Sequence, residues 1–97
     1  MRAIVITDSA HADLELITDF MQTQFSVKIK IDFLLRLTER FLLIENMPFM
    51  YPVSIKNPLI RRCLIHKNVS CFYEVTDTQI LILSIQDNRI NPDNSKF

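Results

Sequence analysis

The sequence predicts an α+β fold: an N-terminal short strand and an antiparallel helix hairpin packed on one face of a C-terminal three- to four-stranded antiparallel sheet. Three observations carry this reading. Residues 8–24 and 27–46 repeat apolar side chains at helical spacing. Residues 60–86 divide into three short strand-like runs, joined by turns too short for anything but antiparallel pairing. The 97 residues contain no glycine, so every turn rests on Asn, Asp, Pro or Ser.

Taken in order, Ala3–Thr7 is rich in β-branched residues and reads as a short strand. Asp8 or Ser9 supplies the N-cap oxygen of a first helix that runs to about Gln24. Its apolar residues Leu14, Ile17 and Met21, with Leu16 and Phe20 alongside, repeat at helical spacing, and Asp13 suits the positive end of the helix dipole. Phe25 and Ser26 break the pattern. The second helix, Val27–Asn46, carries Ile29, Phe33, Leu37, Phe41 and Ile44 along a stripe widened by Leu34 and Leu42. Lys28 and Asp32 attract at i,i+4, whereas Arg36 and Arg40 repel. Pro48 ends the helix. Helices joined by so short a linker form an antiparallel hairpin, and their apolar stripes need a sheet to cover.

Met47–Pro58 contains Pro48, Pro52 and Pro58 and reads as an irregular loop. Strands are predicted at Ile60–Ile65, Val69–Val75 and Gln79–Gln86, with turns at His66-Lys67-Asn68 and Thr76-Asp77-Thr78. On the middle strand Val69, Cys71, Tyr73 and Val75 share the core face, and Ser70, Phe72 and Glu74 take the other. Strict alternation sets Ile80 and Ile82 opposite to Leu81, Leu83 and Ile85, so the last strand is apolar on both faces. With Phe72, Ile80 and Ile82 on the face without helices, that face calls for a covering by a partner or by the tail. One domain over residues 1–90 is expected, followed by a polar tail, residues 91–97, that contains Pro92 and is poorly ordered by itself.

Composition narrows the function. An apolar content of 48% supports a real but small core. A chain of this size buries only about 60–65% of its unfolded surface, so its stability is modest without a partner. No apolar run exceeds four residues, against the ~20 needed to span a bilayer, and the N-terminus has no signal-peptide pattern. A cytoplasmic protein with no membrane partner is expected. Cys63 and Cys71 are too few for a disulfide framework, match no metal spacing, and would face each other on neighbouring strands as reduced small hydrophobes. Without glycine there is no phosphate loop, and no cofactor is expected.

Formal charge is zero but unevenly spread. Residues 8–19 hold Asp8, Asp13, Glu15 and Asp19 without Lys or Arg, while residues 51–70 hold Lys56, Arg61, Arg62 and Lys67 without an acid. A neutral total argues against tight, purely electrostatic nucleic-acid binding, yet leaves room for one focused anionic contact.

The order of these segments resembles the RelE/ParE family of toxin–antitoxin toxins over nearly the whole chain. Ile4-Val5-Ile6-Thr7-Asp8-Ser9-Ala10 looks like the family's first strand and helix start, and Asp13-Leu14-Glu15-Leu16-Ile17 like its acidic first helix. Leu59-Ile60-Arg61-Arg62-Cys63-Leu64 resembles the basic strand, Cys71-Phe72-Tyr73-Glu74-Val75 the middle strand, and Ile82-Leu83-Ser84-Ile85-Gln86-Asp87-Asn88-Arg89 the last strand with its arginine. The resemblance implies the toxin of a type II toxin–antitoxin module, with a cognate antitoxin as partner and a toxin–antitoxin hetero-oligomer as its assembly. One branch of the family cleaves messenger RNA on the ribosome, and the other inhibits DNA gyrase.

This chain departs from the nuclease pattern. Ser70 stands where a nuclease carries an arginine, and Asp87 where it often carries a histidine. His66 and His11 read as surface residues. Growth inhibition by binding a macromolecular target, of the gyrase-inhibitor type, is therefore the expected action. The alternatives are a ribosome-dependent endoribonuclease and an inactive toxin that only binds its antitoxin. Target contacts are expected from Arg61, Arg62, Lys67 and Arg89, with Arg62 on the open face and Arg61 toward the core side or its rim. Antitoxin contacts are expected from Phe72, Ile80 and Ile82. A nuclease would have to draw its catalytic groups from Arg62, Lys67, Asp87 and Arg89. Arg89 is expected to project from the sheet edge near Arg62, its pairing with Asp87 worth little if exposed.

Overall fold

In the computed structural model, which describes residues 2–90 and 97, each helix begins at a hydroxyl side chain that accepts a backbone N–H. Strand β1 (Ala3–Ile6) leads into helix α1 (Asp8–Gln24) through Thr7, whose Oγ1 accepts from the Ala10 N–H at 3.2 Å. The cap is thus Thr7 rather than Asp8 or Ser9. The Thr7 hydroxyl also donates to the Ile82 carbonyl at 2.8 Å, tying the helix start to the last strand, a bond no local pattern signals. Ser26 caps helix α2 (Val27–Asn46) through the Ile29 N–H, and Phe25 closes α1 by donating to the Met21 carbonyl. Strands β2 (Ile60–His66), β3 (Val69–Val75) and β4 (Gln79–Asp87) follow. The first hairpin turn is the pair Lys67-Asn68, because β2 runs one residue further than alternation suggests.

The sheet order is β1-β4-β3-β2. The last three strands pair antiparallel as expected, and β1 adds parallel to β4, making the sheet mixed. Connectivity permits the parallel pairing, since the helix hairpin and β2–β3 separate the two strands. The helices cover one face. Ile17 and Met21 of α1 and Phe33, Leu37 and Ile44 of α2 pack on Cys63, Val69, Cys71, Tyr73, Ile80, Ile82 and Ile85. The predicted α2 stripe is buried along only part of its length, because Ile29, Leu34 and Leu42 stay largely exposed.

One irregularity reassigns the last strand. Phe72 pairs with Ser84 but Tyr73 pairs with Ile82, so Leu83 is an extra residue in β4. A bulge of one residue reverses the side-chain parity beyond it. Ile80 and Ile82 before the bulge and Ile85 and Asp87 after it therefore all enter the buried side. This corrects the face given to Ile80 and Ile82 by strict alternation: both lie under the helices with no exposed area. Only Phe72 of the three remains on the open face.

Because β1 ends at Ile6, β4 has a bare edge beyond Ile82. Asp13 covers it, its Oδ2 accepting from the Ile85 N–H at 2.9 Å and from the Ser84 hydroxyl at 3.1 Å. The helix-dipole position assigned to Asp13 misses this larger role. The β2 edge is guarded as well. The loop before it donates from the Ser54 N–H to the Ile60 carbonyl and accepts at the Pro52 carbonyl from the Arg62 N–H, and Arg40 Nε reaches the Leu64 carbonyl.

Cys63 and Cys71 are register partners, buried and unbridged, and burial raises both thiol pKa values. Apart from Phe97, the tail expected to be poorly ordered falls outside the described residues. Among the described residues no helix is long and apolar enough to cross a membrane.

Replacing Asp13 by Ala removes the charged acceptor of a half-buried strand edge. It should lower the unfolding free energy by about 1.5–3 kcal/mol in a denaturant titration. Asp13→Asn, which keeps one acceptor oxygen, should lose less.

Candidate functional site

On the helix-free face, β2 and β3 place Arg62 and Ser70 side by side, and Arg62 Nε donates to the Ser70 hydroxyl at 3.1 Å. Gln86 of β4 continues the row, and Lys67 and Asn88 stand at its end. The loop at residues 52–56 forms the opposite wall. Together they enclose a cleft of about 550 Å³ with Phe72 in its lining. Arg62 and Lys67 give this cleft a positive field, and among the described residues no Asp or Glu side chain lines it. Arg62 occupies the open face as alternation predicts, and the serine that replaces an expected arginine holds its guanidinium.

Arg61 lies elsewhere. Its Nη1 donates to the Phe49 and Tyr51 carbonyls at 3.1 and 2.7 Å, and its guanidinium sits 5.2 Å from the Phe49 ring centre. It fastens the proline-rich loop to the sheet and does not enter the cleft. Arg89 departs further from expectation. Asp87 faces inward on the side of Ile85 with no exposed side-chain area, and Arg89 follows it. Arg89 Nε donates to Asp87 Oδ1 at 2.9 Å, Nη2 donates to Oδ2 at 2.6 Å, and the Arg89 N–H donates to Oδ1 at 2.9 Å. The guanidinium is also held between Phe20 and Phe25, 5.3 and 5.2 Å from their ring centres. The arginine thus packs against the helix hairpin, on the side of the sheet away from Arg62. Its pairing is half of a buried clamp, not an exposed salt bridge of little value.

The structure therefore splits the four residues from which a nuclease would have to draw. Arg62 and Lys67 share the cleft, whereas Asp87 and Arg89 saturate each other behind the sheet. Both Asp87 oxygens are engaged by Arg89, leaving a poor proton acceptor for a substrate. His66 accepts from the Asn68 N–H through Nδ1. Burial, then Arg36, Arg89 and Lys67, hold its pKa below the usual histidine value. Among the described residues no cluster of three or more His, Cys, Asp or Glu converges on a metal position. Sequence reasoning missed Gln86 and Asn88 as cleft residues. Alternation already puts Gln86 on the face of Ser70, and only the fold brings the 52–56 loop over that face to make a cleft.

A sequence profile described as ParE toxin of type II toxin–antitoxin system, parDE, matches residues 4–92. The chain belongs to the ParE toxin family. This agrees with the RelE/ParE resemblance carried by the sequence motifs. The structure of a chromosomal ParDE toxin–antitoxin system from P. aeruginosa aligns with a TM-score of 0.77 at 19% identity, covering 90% of this chain and 96% of that one. A mutant of YafQ from E. coli aligns with a TM-score of 0.63 at 13% identity, covering 94% and 98%. A chain of the E. coli DinJ–YafQ complex aligns with a TM-score of 0.57 at 16% identity, covering 93% and 97%. At these identities the structural matches establish the shared fold. No curated protein sequence matches the chain. As a ParE-family toxin it belongs to a two-component toxin–antitoxin module.

The clamp makes Arg89→Ala a stability variant. It strands the Asp87 carboxylate in the core, and should lower stability by about 3 kcal/mol, near the low end for a broken buried pair because 26% of the Arg89 side chain faces water. Thermal denaturation should show a large drop in Tm, and an unchanged Tm would contradict the clamp.

His66 gives a pH dependence of definite sign. Its folded pKa lies below the unfolded value of about 6.5, so on acidification the unfolded chain takes up the proton first. Stability should fall as pH drops through about 6.5 and level off below the folded pKa. His66→Gln should reduce that slope in melts between pH 7.5 and about 5.5.

Proposed function

We infer that this toxin arrests growth by binding a macromolecular target through the cationic cleft, in the manner of a gyrase inhibitor, without cleaving RNA. One observation carries the reading: the cleft gathers Arg62 and Lys67, while Asp87, the carboxylate that a nuclease would have to use as a base, is locked to Arg89 behind the sheet. Donors without a nearby proton acceptor suit recognition of a carboxylate or phosphate better than activation of a 2′-hydroxyl. Arg62 is the leading contact, because Ser70 orients its guanidinium and leaves its remaining N–H groups to the cleft. Lys67 at the hairpin tip adds charge. Arg61 and Arg89 support the fold around this contact.

The antitoxin partner is proposed to cover two surfaces. One is the open sheet face around Phe72. The other is the outer side of the helix hairpin, where Ile31, Leu34, Leu35 and Leu42 are exposed on α2. Of the three expected antitoxin contacts this proposal keeps Phe72 and adds the hairpin, since Ile80 and Ile82 are enclosed in the core. The resulting toxin–antitoxin hetero-oligomer would act in the cytoplasm.

Induction of the toxin alone should give filamentation and DNA-damage signalling while bulk messenger RNA stays intact. Arg62→Ala should abolish the effect with little change in melting temperature. Co-expression with the small protein encoded beside it should rescue growth and co-purify. Prompt ribosome-dependent cleavage of transcripts within codons would replace this reading with the endoribonuclease one. Failure of either reading in a folded protein that still binds its antitoxin would leave an inactive toxin.

A further inference from the structure

The cleft already holds an aromatic side chain from its own chain. The Phe97 ring lies against the Phe72 ring, with centroids 5.7 Å apart and planes inclined by 33°. Phe97 is half-buried there and lines the same cavity as Arg62 and Lys67. No helix covers this face, yet Phe72 is only 5% exposed with Phe97 in place. A large apolar residue on the open face of a sheet is costly to leave in water, and its own chain supplies the cover.

We propose that Phe97 is a plug acting in cis: its ring occupies the aromatic seat on Phe72 and narrows the cationic cleft, so that a target gains the Phe72 side of the cleft only when Phe97 leaves. The proposal concerns regulation of the site and rests on the reading that Arg62 and Lys67 contact the target. Apolar cover and cationic rim are both met by one residue, because the ring seats on Phe72 while the cleft's Arg62 and Lys67 stay at its margin. The contact is a weak one by nature. An aromatic pair of this kind shifts an equilibrium by roughly two- to tenfold beyond its area burial. Such a plug lowers the apparent affinity of a competing ligand by the fraction of closed chains and no more.

The absence of tryptophan from the sequence makes the seat measurable. In Phe97→Trp the single indole should be shielded from acrylamide. Adding Phe72→Ala should raise the quenching constant by roughly two- to tenfold, the factor expected for losing one ring of the pair. Equal quenching in the two proteins would overturn the seat. Because Phe72→Ala also removes buried bulk, Phe97→Ala is read separately by NMR. The backbone amides of Ser70, Phe72 and Gln86 should shift while those of Ile17 and Leu37 do not, and an unshifted sheet face would overturn the contact. In cells, Phe97→Ala should arrest growth at several-fold lower inducer than the parent, and Arg62→Ala should not arrest it at all. Unchanged potency of Phe97→Ala beside a harmless Arg62→Ala overturns the plug alone. A fully toxic Arg62→Ala overturns the target-contact reading and with it the regulatory role, while quenching still reports the seat independently.

Discussion

A single extra residue in β4 governs both sides of this molecule. Leu83 interrupts the pairing with β3, so side chains on either side of it that would face opposite ways share the buried side. Ile80, Ile82 and Ile85 thereby join one core, and Asp87 is driven inward behind them. A buried carboxylate has to be compensated, and Arg89 does this with two charge-assisted bonds while its guanidinium lies between Phe20 and Phe25. Those two rings come from α1 and its link to α2. The bulge thus reaches, through one ion pair, to the turn of the helix hairpin.

The same irregularity is held from the N-terminal side. Thr7 joins α1 to the Ile82 carbonyl just before the bulge, and Asp13 grips Ser84 and Ile85 just after it. Both residues belong to the first two turns around the start of α1, so one short stretch of chain caps a helix and seals a strand edge. An exposed edge invites pairing with other chains, and here side-chain oxygen replaces a neighbouring strand. Stability of β4 and the position of α1 are consequently coupled.

What the sheet keeps off its open face is as important as what it buries. With Asp87 and Arg89 behind the sheet, the cleft retains Arg62, Lys67 and neutral amides and hydroxyls. Its field is positive, and among the described residues no Asp or Glu side chain lines it to oppose an incoming anion. A local basic site on a chain of zero formal charge fits focused recognition of one anionic group, not broad attraction to a polyanion. Phe72 adds the apolar component that gives such a site shape.

The sequence by itself determined the elements, their order and the family. Helix starts and stops, the helix hairpin and the three-strand meander all follow from spacing and capping within a few residues, where local signals are complete. Arg62 on the open face and Arg61 at the rim followed from alternation within β2. Only tertiary structure decided where the parity of β4 changes, because the partners that stabilise the bulge lie far away in sequence: Asp13 and Ser84 are 71 positions apart and Thr7 and Ile82 are 75. From that one undetermined residue came the misplacement of Ile80 and Ile82, whereas Arg89 leaves the open face because it follows the buried Asp87. A bulge adds a residue without altering composition or local propensity, so the pattern of β4 reads the same with it or without it. The fold places it where Asp13 and Thr7 can satisfy the backbone and hydroxyl groups that the displaced register leaves open.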